Sequence, residues 1–224
     1  MRSNWAAVAA LVILVSGAAA AAPRTQNIEL PNDGDEYSAL VTRAAAHDDS
    51  VDFRALRIAY LSSAAFKRAG AAFDKLRDLQ SQMNAAMQSD DAKTVRDKAE
   101  QILSLDFTDL YAHKLLRQSC ALLHDDVCAE LHHFIEFGLL QSITRTGDGK
   151  TCATGWEAFQ IKEEYFMLAM MDTTFTSQAL VSDGGHSCDA MTVRDQSGAT
   201  LTYYFNIDKM MEAEAGELGV KPGQ

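Results

Sequence analysis

The sequence predicts an α+β protein in which N-terminal helical hairpins are followed by a small antiparallel β-sheet region. Three observations carry that reading. Between Tyr37 and Leu139 apolar residues return roughly every three to four positions, the period of helices with one buried face. From Thr200 to Ile207 the period falls to two, that of a strand buried on one side. Between these stretches lies Thr146-Gly147-Asp148-Gly149-Lys150, whose glycines and aspartate make a connection rather than an element.

Residues 1–20 have the anatomy of a signal peptide: a basic start at Arg2, an apolar run over residues 6–15, then Ser16, Gly17 and a tract of alanines. The peptidase needs small side chains before the cut and does not cut before proline, so Pro23 points to cleavage after Ala20 or Ala21, of which Ala20 is preferred. The apolar run is shorter than the roughly 20 residues that span a bilayer. No cysteine follows the segment to take a lipid, the first being Cys120. The expected product is periplasmic or secreted and is not membrane-embedded after signal cleavage. Residues 21–34 hold Pro23 and Pro31 with no apolar period and read as a flexible lead.

The helical region is expected over residues 35–145. Tyr37, Leu40, Val41 and Ala44 share one helix face, and Phe53, Leu56 and Tyr60 share another behind the capping residue Asp52. Gly70 interrupts before a long helix with a stripe of Leu76, Leu79, Met83 and Met87. Three further faces follow: Val95, Ala99, Ile102 and Leu103; then Leu115, Leu116, Leu122 and Leu123; then Leu131, Phe134, Ile135 and Leu139. The acidic turn pairs Asp90-Asp91 and Asp125-Asp126 are 35 positions apart. A tetratricopeptide unit is about 34 residues long with a small residue where its helices cross, a need that Ala99 and Ala112 meet. The turn glycine and closing proline of that repeat are missing, and an antiparallel bundle gives the same periodicity. The reading stays open between the two.

A strand-rich α+β region is expected over residues 146–210, with strands at 156–161, 176–181, 188–193 and 200–207 and a short helix over 163–171. Asp195-Gln196-Ser197-Gly198 supplies turn chemistry, so residues 188–207 read as a β-hairpin. Residues 208–217 suit a closing helix, and the chain ends in a tail over 211–224.

Composition narrows the function classes. A formal net charge of -11 and the lack of any Lys/Arg cluster argue against a nucleic-acid partner and against an anionic membrane surface. The hydrophobic share of 47% excludes a disordered chain. The four cysteines pair best as Cys120 with Cys128, which flank the turn at His124-Asp125, and Cys152 with Cys188. Free thiols or a metal site are the rival readings, but no Cys-x-x-Cys pair exists.

The order of particular residues resembles an uncharacterised family of exported bacterial proteins, domain of unknown function four-nine-one-nine. The resembling stretches are Glu36-Tyr37-x-x-Leu40-Val41, Asp52-Phe53-x-x-Leu56-Arg57-x-x-Tyr60, Gly147-Asp148-Gly149-Lys150, Glu163-Glu164-Tyr165, Gln178-x-Leu180, Gly185-His186-Ser187-x-Asp189 and Tyr204-Phe205-Asn206-Ile207. Relatives usually carry tyrosine where this chain has Cys188, which fits a bridge acquired locally. The resemblance implies export, a helical front and a strand-rich back, and it implies no activity.

Few constellations could carry chemistry. Gly149-Lys150-Thr151 lacks the first glycine of a phosphate loop, that position being Thr144, and it follows a helix rather than a strand. Glu130, His132, His133 and Glu136 have helical ligand spacing, but a single Glu-x-x-His falls short of a bundle metal site. No metal and no cofactor is expected. His186 and Asp189, joined by Glu163, Glu164, Tyr204 and Asn206, form a candidate polar cleft in which a histidine beside a carboxylate would serve acid-base work. Asp52, Arg57 and Tyr60 form a candidate structural anchor, with Arg57 placed to pair with a carboxylate of the strand-rich region. The function expected is a non-catalytic protein-interaction module whose partner is an envelope protein or peptide. The alternative is a hydrolase or small-ligand-binding protein using the cleft near His186.

Overall fold

The computed structural model describes residues 26–217. The signal peptide expected over 1–20, the start of the lead and the last residues of the tail lie outside the described residues. Seven helices come first: α1 (Glu36–Ala45), α2 (Phe53–Ser62), α3 (Ala64–Ala71), α4 (Phe73–Gln88), α5 (Ala92–Leu103), α6 (Leu110–Leu122) and α7 (Asp126–Thr144). A 3₁₀ turn (Cys152–Thr154), β1 (Trp156–Glu157), α8 (Ile161–Met170), β2 (Thr174–Asp183), β3 (His186–Arg194), β4 (Thr200–Asn206) and α9 (Asp208–Glu217) complete the chain.

Short polar side chains start most of the helices. Asp35, Asp52, Ser63, Asp91, Asp109 and Asp125 each accept a hydrogen bond from a backbone N–H of the first turn, satisfying donors that an uncapped helix would leave bare. The α4–α5 and α6–α7 hairpins turn alike. Asp90 and His124 both take positive φ, at 55° and 58°, and Asp91 and Asp125 then cap the next helix. The structural repeat is therefore 34 positions, one fewer than the acidic pairs suggest, because Asp90 corresponds to His124 rather than to Asp125. Ala99 and Ala112 are fully buried where α5 meets α6.

Two hydrophobic clusters form. One joins Leu79, Met83, Val95, Ala99, Ile102, Leu103, Leu115 and Leu116 around the Cys120–Cys128 bridge. The other joins Tyr37, Val41, Leu56 and Tyr60 to Ile135, Leu139 and Ile143 of α7, to Phe166 and Leu168 of α8, and to Met191, Val193 and Phe205 of the sheet. The first turn of α7, with Cys128 and Ala129, thus serves the first cluster and the rest of the helix, from Leu131 on, the second. Gly138 lets α2 close on α7, since a Cβ there would lie 2.2 Å from the Phe53 ring.

The sheet has the order β1-β4-β3-β2. The β2–β3 and β3–β4 pairs are antiparallel, but β1 runs parallel to β4, so the sheet is mixed rather than wholly antiparallel. The Cys152–Cys188 bridge, with Cα atoms 5.7 Å apart, ties the 3₁₀ turn to β3.

Several local expectations change. The strand expected over 156–161 ends after two residues, because Gln160 and Glu163 form a reciprocal capping box that starts α8 at Ile161. Gly70 lies inside α3, and the break before α4 falls at Ala72. Met87 and Leu122 leave their stripes, 42% and 70% exposed, because each sits in the last turn of its helix beyond the packing partner. Leu201 is also exposed, so β4 is buried only toward Phe205. The lead expected to be flexible is fastened over its described part. Ile28 and Leu30 pack on the core, Glu29 N–H donates to Ser104, and Arg68 grips the Asp33 carboxylate with two 2.7 Å bonds. The closing helix expected over 208–217 forms as α9, so residues 211–217 belong to it rather than to the tail.

Candidate functional site

The residues of the expected polar cleft fall in three separate places. Glu163 turns into the core, where its carboxylate receives the Arg57 guanidinium at 2.8 and 2.7 Å and the Phe159 N–H at 2.7 Å. Arg57 also donates to the Glu157 carbonyl and to Ser142, and it stacks 4.2 Å from the Phe159 ring centre. Every direction of the guanidinium is occupied, so this pair joins α2 to α8 and offers nothing to a ligand. Asp52 caps α2 through Arg54 and Ala55, and Tyr60 packs 5.1 Å from Tyr37.

Glu164 is fully buried and faces Asp189. Among the described residues no donor reaches either Glu164 oxygen, while Asp189 accepts from Gln178 at 2.7 Å. Burial first, then the Asp189 carboxylate, pushes the Glu164 carboxyl up to about 9. It is therefore a neutral acid at pH 7, able to donate its proton to Asp189.

His186 lies three residues before Asp189 on β3, and side chains alternate along a strand, so the two point to opposite faces. On its own face His186 meets Asp208 at 2.7 Å and Asn206 at 3.2 Å, in an exposed setting. Burial acts to raise the Asp208 pKa, and the Ser187 N–H and His186 outweigh it and leave it lowered. Tyr204 stands opposite Ala190 on that same face.

Sequence reading missed an ion cluster that opens on solvent through a single lysine. The link from α5 to α6, Asp106-Phe107-Thr108-Asp109, is buried throughout. Asp106 folds it by accepting from the N–H and hydroxyl of Thr108 at 2.8 and 2.6 Å, a local side-chain turn. Asp109 caps α6 through Ala112. The remaining oxygen of each carboxylate receives Lys162 from α8, the Asp109 contact being 2.7 Å. Burial works against the charge on Lys162, but Asp106 and Asp109 together raise its pKa well above the ordinary value. Lys162 in turn holds Asp109 below the carboxylate range despite its burial. About a third of the lysine side chain, 33%, stays exposed. Its third N–H has no acceptor among the described residues. The signal for this group in the sequence was the Asp-x-x-Asp spacing before α6, which reads as two caps without revealing the lysine that joins them.

Lys162 and Asp109 sit between two adjoining hollows of about 500 and about 560 Å³. Both are lined by Phe73, Gln80 and Ile161, with Phe66 and Met210 on one side and Tyr165 and Phe166 on the other. Phe73 and Ile161 are 64% and 51% exposed. Apolar walls around a fixed polar group have the make-up of a ligand groove. A third hollow, about 760 Å³, opens elsewhere between α2 and α7 and is edged by Arg54, Arg145 and Glu157. It lacks a buried polar anchor of comparable rigidity.

A further buried polar pair joins α6 to α7. His113 Nε2 meets the Phe107 carbonyl at 2.8 Å and must donate to it, so His113 Nδ1 accepts, and His132 Nδ1 donates across 2.8 Å. His132 Nε2 is left as a buried acceptor without a donor. Burial lowers both rings, His113 to about 4 and His132 to about 2.

Fold and site together define an α+β protein of helical hairpins closed by a mixed four-stranded sheet, with an apolar groove anchored by a partly exposed lysine and two buried aspartates. Two disulfides fit an oxidising, extracytoplasmic setting. Among the described residues no helix is long and apolar enough to cross a membrane. The chain belongs to the family described as domain of unknown function (DUF4919), whose model matches residues 25–215. No curated protein and no solved structure matches it.

Proposed function

We propose that the protein is an exported, non-catalytic interaction module of the cell envelope, and that the groove beside Lys162 takes an apolar segment of a partner protein or peptide. The observation that carries this reading is the lysine itself. Two carboxylates hold it in place, and a third N–H remains for a backbone carbonyl of the occupant. The exposed Phe73 and Ile161 supply apolar contact on either side. The floor has one carboxylate in excess of its ammonium, which favours an apolar segment carrying a basic residue.

The alternative, a hydrolase or small-ligand binder at His186, draws support from the 2.7 Å contact between His186 and Asp208. A histidine oriented by a carboxylate is part of an acid-base pair.

The test is to select peptides on the immobilised disulfide-bonded protein and titrate the winners calorimetrically against wild type and single variants. Phe73→Asp should weaken binding about 10-fold or more, as loss of an apolar anchor does. Lys162→Met should weaken it while His186→Ala leaves it unchanged. Binding that survives Phe73→Asp and Lys162→Met but is lost in His186→Ala would overturn the groove in favour of the alternative.

A further inference from the structure

A different part of the molecule carries an inference independent of the groove. β2 is the outermost strand of the sheet, ten residues long, paired with β3 on one side only. Its side chains are exposed almost throughout. Such an edge presents a row of backbone N–H and C=O groups, and proteins usually guard it with lysine, proline or inward charge. β2 contains no lysine, arginine or proline, and its one charged residue is Asp183 at the very end. A register shift between Phe175 and Ser177 distorts the other end and leaves residues 177–182 regular. In the middle of that run Leu180 is 63% exposed.

We propose that β2 is a self-association edge: a second copy of this chain lays its own β2 antiparallel against it about a two-fold axis, making one continuous sheet across two molecules. Charge selects this occupant. The chain carries a net charge of -11, so two copies repel over most approaches. β2 is a long stretch with only one acidic residue. Antiparallel pairing carries each Asp183 to the end of the other copy's β2, where Thr174 is paired with Arg194 of β3. The end charges are then complementary twice over, whereas parallel pairing would set the two Asp183 side by side. The two-fold also brings the Leu180 side chains diagonally together and covers apolar surface now in water. A foreign strand would satisfy the same backbone groups without these reciprocal end charges. A single ladder is smaller than a standard interface, so the dimer should be weak, with Kd on the order of 10 to 100 μM.

The test is sedimentation equilibrium on the disulfide-bonded protein from about 5 to about 500 μM. The expected result is a mass rising with concentration toward twice the monomer. Leu180→Lys, which sets like charges together at the centre of the ladder, should remain monomeric with an unchanged far-ultraviolet circular dichroism spectrum. A monomer over the whole range would overturn the proposal. So would a dimer that forms equally in the folded Leu180→Lys variant, since the contact would then lie elsewhere. A wild-type protein that stays monomeric yet binds a foreign strand peptide at β2 would replace the second copy with a different partner.

Discussion

The guanidinium of Arg57 and the carboxylate of Glu163 meet through two hydrogen bonds, at 2.8 and 2.7 Å, with each side chain only 1% exposed. Taking one partner away leaves an uncompensated charge in the core where α2 and α8 join. Arg57→Met and Glu163→Gln are each expected to lower stability by about 3–5 kcal/mol. Exchanging both for apolar residues should cost clearly less than the two single losses combined. Urea unfolding of the three variants checks this.

Glu164 gives stability a pH dependence between about pH 4.5 and about pH 9. Its pKa rises from 4.5 unfolded to about 9 folded, so between those values the folded chain binds more protons. Stability must therefore fall as pH rises through that window. Glu164→Gln keeps the shape and a donor toward Asp189 without the titration. The variant should match wild type near pH 4 and exceed it progressively toward pH 9, read from urea midpoints at successive pH values.

The His113–His132 pair acts at the other end of the scale. Both rings titrate near 6.5 unfolded and are lowered to about 4 and about 2 when folded. Below pH 6.5 the unfolded chain binds more protons, so stability falls as pH drops from there toward about 4 and below. His132→Leu should cost about 1 kcal/mol at pH 7, because His113 Nδ1 loses its donor. The same variant should flatten the acid limb of the stability profile, measured by thermal unfolding between pH 7 and pH 4.

Both disulfides are expected to be closed in the purified protein, with no thiol reacting until a reductant and denaturant are added. Their weights should differ with the loops they close, 8 against 36 residues of separation. Loop entropy gives about 2–3 kcal/mol for Cys120–Cys128 and about 1 kcal/mol more for Cys152–Cys188. Paired alanine substitutions at each bridge, compared by urea unfolding, test that order; neither should abolish folding, since the two apolar clusters still hold the core.

Much of this architecture could be read from periodicity. The faces of α1, α2 and α5 are buried as their spacing predicts, and the β3–β4 hairpin turns over Asp195 to Gly198. Cysteine spacing about the α6–α7 turn was enough to pair the four residues. Features created by docking could not be read the same way. Lys162 finds Asp106 and Asp109 across more than 50 positions of chain, and no local pattern links them. The expected cleft failed to assemble for a reason the sequence did contain. The strand expected over 188–193 leaves His186 outside it, whereas β3 begins at His186, and in a strand a spacing of three sends the His186 and Asp189 side chains to opposite faces. The β2–β3 turn at Gly184-Gly185, both at positive φ, would have marked that strand's true start.

The 19-residue α7 contributes Cys128 to one hydrophobic cluster and Ile135, Leu139 and Ile143 to the other. Because neither cluster can dissolve while the helix stays seated in both, the hairpin array and the sheet share one opening event rather than melting as separate foldons. Amide protons along the middle of α7 would then be the slowest in the molecule to exchange with solvent, released only when the whole chain opens.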